Sequence, residues 1–163
     1  MQTGAIDIHH NYVPEQIIGE ARRHSKTLGV EVFEAKDGAI SFSFNSGPKC
    51  ALQQGLTDVE PRLAMMEKGR IALAALDPST NMLGYDLRGE QAEDWCRLYN
   101  QCVKEFLKKY PERFTAMAAV PIQEPKRAAS ALEYAVTELD FRGAYIATNV
   151  NHRYYESEDF DPF

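Results

Sequence analysis

Four short apolar segments alternate along the chain with longer segments in which apolar residues recur every three or four positions. The clearest short segment is 71–76, which is apolar throughout, as is typical of a strand buried on both faces. The others lie near residues 6–8, 114–120 and 144–147. Strands that alternate with helices predict an α/β fold with a parallel sheet and right-handed crossovers.

Helices are predicted between these strands. The strongest signal spans 90–110, where the apolar stripe includes Trp95, Tyr99 and Phe106 and ends before Pro111. These aromatic residues are expected in the core. The other helices are predicted near residues 15–24, 58–69 and 125–139. In the helix near 58–69, Asp58 is expected to cap the first turn and Leu63 and Met66 to face inward, while the orientation of Met65 is left open. In the helix near 125–139, Val136 is expected to face inward.

A different pattern covers residues 30–44. Apolar and polar residues alternate on either side of Lys36-Asp37-Gly38, and Asp-Gly between two alternating runs is a strong hairpin signal. We therefore expect a β-hairpin, about residues 29–45, inserted after the first strand of a single domain that covers residues 1–163.

Composition restricts the partners. The net charge is -6 with no long basic run, which argues against nucleic acid and anionic membranes as partners. No apolar run approaches the roughly 18 residues of a membrane helix, and the N-terminus lacks a signal-peptide pattern, so a cytoplasmic location is expected. The three cysteines fit no zinc or redox spacing and are expected to be free thiols.

The first strand ends in residues of the types that commonly bind metal ions in proteins. Because side chains alternate along a strand, Asp7, His9 and Asn11 are expected on one face. Imidazole is a common zinc ligand, whereas the amide oxygen of Asn11 suits harder ions. His10 would reach that face only if the strand slipped by one residue. The sequence also leaves open that His9 is a polar strand-end residue without a metal.

Three further polar residues follow strand ends: Asn81 after the second strand, and Asn149 and His152 after the fourth. The carboxyl ends of parallel strands carry the functional residues of barrels, so these are candidate substrate contacts. Asn81 and Asn149 are equally well explained as turn residues, and His152 is better explained as a histidine of a surface loop.

The order of these elements resembles the amidohydrolase superfamily, and more closely its aminocarboxymuconate-semialdehyde decarboxylase-like branch. The resemblance spans nearly the whole chain and lies in six segments: 6–14, 36–38, 59–66, 110–114, 119–123 and 143–151.

The resemblance implies that the chain is the N-terminal half, about four βα units, of a metal-dependent-hydrolase TIM barrel, since such barrels take about 250 residues. His9 matches the first metal-ligand position, and Asn11 stands where the family has a second His. A divalent metal, zinc by expectation, is implied. The family's remaining groups are a ligand His at the end of the fifth strand, a later catalytic His and an Asp, and all lie beyond Phe163.

The implied activity is non-oxidative decarboxylation of an aromatic or unsaturated carboxylic acid, with little turnover expected from these 163 residues alone. The decarboxylase proper binds its dicarboxylate through an arginine on the hairpin. Here the hairpin has Phe42 and Phe44 and no arginine over 40–45, which predicts a more apolar or aromatic substrate. Two alternatives remain: metal-dependent hydrolysis of a lactone, amide or ester, and a non-catalytic half-barrel module that pairs into a homo-oligomer.

Overall fold

Short parallel strands with helices packed beside them form the centre of the fold in the computed structural model, which describes residues 4–163. The strands and helices follow in this order: β1 (Ala5–Asn11), α1 (Gln16–Arg23), α2 (Ser25–Leu28), β2 (Val30–Glu34), β3 (Ile40–Phe44), β4 (Cys50–Ala51), α3 (Glu60–Lys68), β5 (Ile71–Asp77), α4 (Gly89–Leu107), β6 (Phe114–Ala116), β7 (Ala118–Ala119), α5 (Pro125–Thr137) and β8 (Ala144–Tyr145).

The central strands pair in parallel, in the orders β1-β5-β6 and β7-β8. The predicted parallel α/β architecture is therefore confirmed. Only Met117 separates β6 from β7, and its backbone N–H donates to the carbonyl of Leu76 at 2.8 Å. The fourth strand is shorter than predicted, ending at Tyr145 rather than at residue 147.

The pairing of β1 with β5 contains a β-bulge. Asp7 pairs with Ala74 and His10 with Leu76, so three steps along β1 match two along β5. A bulge inserts an unpaired residue and turns the following side chains. The prediction that Asp7, His9 and Asn11 share one face assumed that side chains alternate strictly along β1. That alternation fails between Asp7 and His10, whose side chains are hydrogen-bonded to each other.

Strands β2, β3 and β4 form a separate antiparallel sheet. Phe42 and Phe44 of β3 are buried, with ring centroids 6.2 and 5.2 Å from that of Trp95 in α4. These two rings therefore pack in the core and anchor the antiparallel sheet to α4 instead of facing a substrate, and the expected preference for an apolar or aromatic substrate stays a prediction.

The helices bury most of the residues expected of them, including Trp95, Tyr99 and Phe106. Two details differ from the sequence prediction. Val136 is exposed, and α3 begins after Val59 without a side-chain cap, so Asp58 does not cap it. Met65, whose orientation the sequence left open, is exposed. All three cysteines are free, with Cys96 and Cys102 buried. Within residues 4–163, no helix is both long and apolar enough to span a membrane.

Candidate metal centre

Polar side chains gather where β1 and β5 end. Asn11, the last residue of β1, pairs with Asp77, the last residue of β5. Paired residues of neighbouring strands present their side chains on the same face of the sheet. This position is the carboxyl end of the parallel strands, where barrel enzymes carry their functional groups.

Asp77 is the centre of this cluster and is only 1% exposed. Its Oδ1 accepts a hydrogen bond from the backbone N–H of His10 at 2.6 Å, and its Oδ2 lies 2.9 Å from Nδ1 of His9. Burial raises the pKa of the Asp77 carboxyl above its ordinary value, although the nearby His9 and the His10 N–H oppose that rise. The sequence analysis missed Asp77, because it begins the polar stretch Asp77-Pro78-Ser79 that is typical of a turn.

A second carboxylate, Asp7, fixes the two histidines from the other side. Its Oδ2 lies 2.7 Å from Nδ1 of the buried His10, and its Oδ1 accepts the backbone N–H of His9 at 3.1 Å. Burial alone would raise the pKa of Asp7, but these hydrogen bonds outweigh it and lower the pKa below its ordinary value. The bulge in β1 makes this arrangement possible, since residues three apart on a regular strand point to opposite faces.

His9 is the accessible member of the cluster, with its side chain 60% exposed. Its imidazole stacks on the ring of Tyr145 in β8, with centroids 5.6 Å apart and an interplanar angle of 13°. Held between the Asp77 carboxylate and the Tyr145 ring, the imidazole has a defined orientation. Such outer contacts orient the ligands of metal sites.

Nε2 of His10 and Oδ1 of Asn11 are buried without a hydrogen-bond partner among the described residues, and the only neighbour of the buried Oδ2 of Asp77 is Nδ1 of His9 at 2.9 Å. Unpaired buried polar atoms are rare in native proteins and call for a bound water or ion. All three are electron-pair donors of the kind that bind divalent cations, so the residues present fit such an ion. Residues 4–163 contain no group of three or more His, Cys, Asp or Glu placed to hold a metal, so a site here needs the amide of Asn11.

A buried cation lies beside the cluster. Arg62 of α3 is buried, donates from Nη2 to the carbonyl of Leu56 at 3.2 Å, and lies over the ring of Tyr12 at 5.3 Å. Burial lowers the pKa of Arg62, and the negative charges of Asp58, Asp7 and Asp77 oppose this. Burial likewise raises the pKa of Tyr12 to about 12, although the charge of Arg62 opposes that rise. Arg62 and Tyr12 were not singled out from the sequence, although both lie in segments that carry the family resemblance.

The candidate substrate residues lie apart from these contacts. Asn81 is exposed in a short 3-10 helix, Thr80–Met82, after β5. Asn149 is half-buried after β8, and His152 is exposed on a turn with a positive φ of 64°. Within residues 4–163, no side-chain hydrogen bond or ion pair joins these three residues to His9, Asn11 or Asp77. Their role as substrate contacts stays a prediction.

Comparison with curated proteins gives relatives that act on aromatic acids. The chain is 35% identical over 96 residues to gamma-resorcylate decarboxylase of Rhodococcus jostii, a match that covers 58% of this chain and 29% of the relative. A gamma-resorcylate decarboxylase of Rhizobium sp. is 29% identical over 119 residues, or 69% of this chain and 36% of the relative. The chain thus spans about a third of the length of these curated relatives. No protein-family profile matches the sequence.

Comparison with solved structures gives enzymes of the same type. The 5-carboxyvanillate decarboxylase of Novosphingobium aromaticivorans, complexed with manganese and a nitrobenzoic acid, superposes with a TM-score of 0.69 at 22% identity, covering 99% of this chain and 46% of that one. Dihydroxybenzoic acid decarboxylase of Polaromonas sp., with bound manganese and 2-nitroresorcinol, gives 0.69 at 23% identity, with coverages of 98% and 44%. At these identities the likeness establishes the fold.

Proposed function

Because this chain belongs with the decarboxylases of the amidohydrolase superfamily in sequence and fold, we propose that it is the N-terminal part of a metal-dependent enzyme that removes CO₂ from an aromatic carboxylic acid. The observation that carries this proposal is the cluster of His9, Asn11 and Asp77 at the carboxyl ends of β1 and β5. The identity to gamma-resorcylate decarboxylases supports an aromatic acid as the substrate.

The strands of this chain are proposed to form half of a barrel. The solved decarboxylases match nearly all of this chain but less than half of their own length. The antiparallel sheet of β2, β3 and β4 is then an insertion after the first barrel strand. The remaining strands would supply the metal ligands and proton-transferring groups that the family resemblance implies. The 163-residue chain alone is therefore expected to show little or no turnover.

Each polar residue of the cluster has a proposed task. His9 and Asn11 would hold a divalent ion, which when bound polarises an oxygen of the substrate and stabilises negative charge developed during loss of CO₂. Manganese is bound in relatives, so we propose a divalent metal without restriction to zinc. Asp7 and Asp77 hold the two imidazoles in place through the contacts described above. Asn81, Asn149 and His152 are proposed to contact substrate beyond the metal.

The test requires a completed barrel. Residues 1–163 would be joined to the strand–helix units that follow the matched region in the Rhodococcus jostii relative and supplied with Mn²⁺. We expect CO₂ release from dihydroxybenzoates, and no release from the same protein carrying His9→Ala. Products that have gained water from lactone, amide or ester substrates, without CO₂, would instead establish the hydrolase alternative.

A second candidate function, a non-catalytic half-barrel module, is favoured by one observation. Ile6 and Ile8 of the edge strand β1 are 62% and 80% exposed, which is unusual for large apolar side chains of a parallel sheet. Pairing of two copies through this edge would cover them. Sedimentation of the purified chain tests this alternative: a dimer that dissociates when Ile8→Lys is introduced supports it, and a monodisperse wild-type monomer excludes it.

A further inference from the structure

A small cavity lies between the C-terminal half of α4 and the segments that follow β1 and β4. Its volume is about 160 Å³, and three aromatic side chains line it: Tyr12, Phe106 and Tyr110. A cavity of about 150 Å³ with apolar walls is large enough to bind benzene. The volume and the walls of this cavity therefore fit one aromatic ring.

The aromatic walls hold one another in place. The ring of Tyr12 packs on that of Phe106 with centroids 4.5 Å apart, and Phe106 packs on Tyr110 at 5.2 Å. The guanidinium of Arg62 lies over the Tyr12 ring at 5.3 Å, and the Tyr99 hydroxyl donates to the Tyr12 carbonyl at 2.5 Å. Tilted aromatic pairs attract one another, so the cavity is preformed, as is usual for small-molecule sites.

Polar groups of this cavity are available for a ligand. Tyr12 is only 4% exposed, and its hydroxyl has no hydrogen-bond partner among the described residues. A hydroxyl in such a buried side chain calls for a bound molecule as its partner. Two exposed side chains of opposite charge, Glu15 and Lys109, also line the cavity, and neither forms an ion pair within residues 4–163.

These two opposite charges select among aromatic ligands. A carboxylate only accepts hydrogen bonds, so it would be attracted by Lys109 but repelled by Glu15. An ammonium group only donates, and the two charges would act on it in the reverse sense. A neutral hydroxyl both donates and accepts, so it can donate to Glu15 and accept from Lys109. An aromatic ring with a hydroxyl group, a phenol, therefore satisfies the walls and both charges.

We propose that the cavity lined by Tyr12, Phe106 and Tyr110 is a binding site for a small phenol. The residues that line it do not include His9, Asn11 or Asp77 of the strand-end cluster. Loss of CO₂ from a hydroxybenzoic acid leaves a phenol, so this site would bind the product class of the proposed enzyme. That link rests on the proposed function, whereas the binding of a phenol does not.

The first experiment is a titration of the purified chain with phenol, followed by nuclear magnetic resonance. We expect saturable shifts that are largest for the signals of Val59, Lys109 and Tyr110, which line the cavity. Phenol should bind at least tenfold more tightly than benzoate. A response without saturation, benzoate binding as tight as that of phenol, or largest shifts at His9 and Tyr145 would each overturn the proposal.

Variants of the cavity provide the second test. Val59→Phe fills the cavity and should weaken phenol binding at least tenfold, whereas the matched control Val136→Phe, on the exposed face of α5, should leave it unchanged. Equal phenol affinity of Val59→Phe and wild type would refute the site.

A third variant tests the ligand class and does not depend on how Val59→Phe folds, because Glu15 is exposed. Glu15→Gln removes the repulsion of a carboxylate, so the preference for phenol over benzoate should narrow at least threefold. An unchanged preference would refute the selection of a phenol by these charges. Since none of these measurements uses turnover, a failure of decarboxylation in the completed enzyme would leave their result unaffected.

Discussion

Asn100 binds both polar backbone atoms of Ala119. Its Nδ2 donates to the Ala119 carbonyl at 2.9 Å, and its Oδ1 accepts the Ala119 N–H at 2.8 Å. Asn100 is buried on α4 and Ala119 lies in β7. The Asn100 side chain thus pairs both backbone hydrogen-bonding groups of Ala119, as a neighbouring strand would, and it fixes α4 against β7.

Asn100→Leu is expected to destabilise the fold strongly, because it leaves two buried backbone groups unpaired. At about 1–3 kcal/mol for each unpaired group, the free energy of unfolding should fall by about 2 kcal/mol or more. Urea denaturation measures it. The neighbouring exposed residue provides the control, since Gln101→Leu should change stability by less than about 0.5 kcal/mol. Similar losses in the two variants would contradict the assigned role of Asn100.

Two adjacent methionines on α3 are expected to respond very differently to truncation. Met66 is fully buried, whereas Met65 is 57% exposed. Met66→Ala should lower the free energy of unfolding by about 2–5 kcal/mol, since it leaves a cavity. Met65→Ala should change it by less than about 0.5 kcal/mol. Thermal or urea unfolding of the pair checks the orientation of α3, and a larger loss from Met65→Ala would show that α3 is rotated.

The three cysteine thiols should react with a thiol reagent at clearly different rates in the native protein. Burial raises the pKa of the Cys102 thiol from its ordinary value of 9.0 to about 11, and burial raises that of Cys96 further. Because the thiolate is the reactive form, both should resist a thiol reagent at pH 8, while the partly exposed Cys50 reacts. We expect one fast thiol per native chain and three in denaturant. A second fast thiol in the native protein would contradict the burial of α4.

The same pKa shift gives a pH dependence of stability. Cys102 loses its proton in the unfolded chain near pH 9 but in the folded chain only near pH 11. The folded state therefore holds more protons between these values, and stability must fall as pH rises through that range. Burial raises the pKa of Tyr12 from 10.0 to about 12 and acts in the same direction. Urea midpoints should fall from pH 9 to 11, and Cys102→Ala should reduce this fall relative to wild type.

The main helices and strands could be predicted from the sequence because each of their apolar patterns is compatible with only one type of secondary structure. The uninterrupted apolar run 71–76 indicates a largely buried strand, and it forms most of β5, half-buried over 71–73 and buried from Ala74 onward. The helical stripe with Trp95 and Tyr99 requires one face of a long helix against a core, and α4 provides it. Both signals depend on residues near in sequence.

The details of the candidate site could not be predicted because they depend on pairing between distant segments. A bulge leaves no mark in the sequence of β1, so the contact between Asp7 and His10 was unforeseeable. Asp77 has the composition of a turn residue and becomes part of the site only because β5 lies beside β1. Phe42 and Phe44 pattern like residues that face a substrate, but Trp95 lies on that side of the hairpin.

The central claim, that this chain is the N-terminal part of a metal-dependent decarboxylase, is tested most directly by the nucleotide sequence beyond the codon for Phe163. The account predicts an open frame that continues through further strand–helix units. These should include a histidine at the end of the next strand, and later a second histidine and a strand-end aspartate. A stop codon directly after Phe163 would contradict a single-chain decarboxylase.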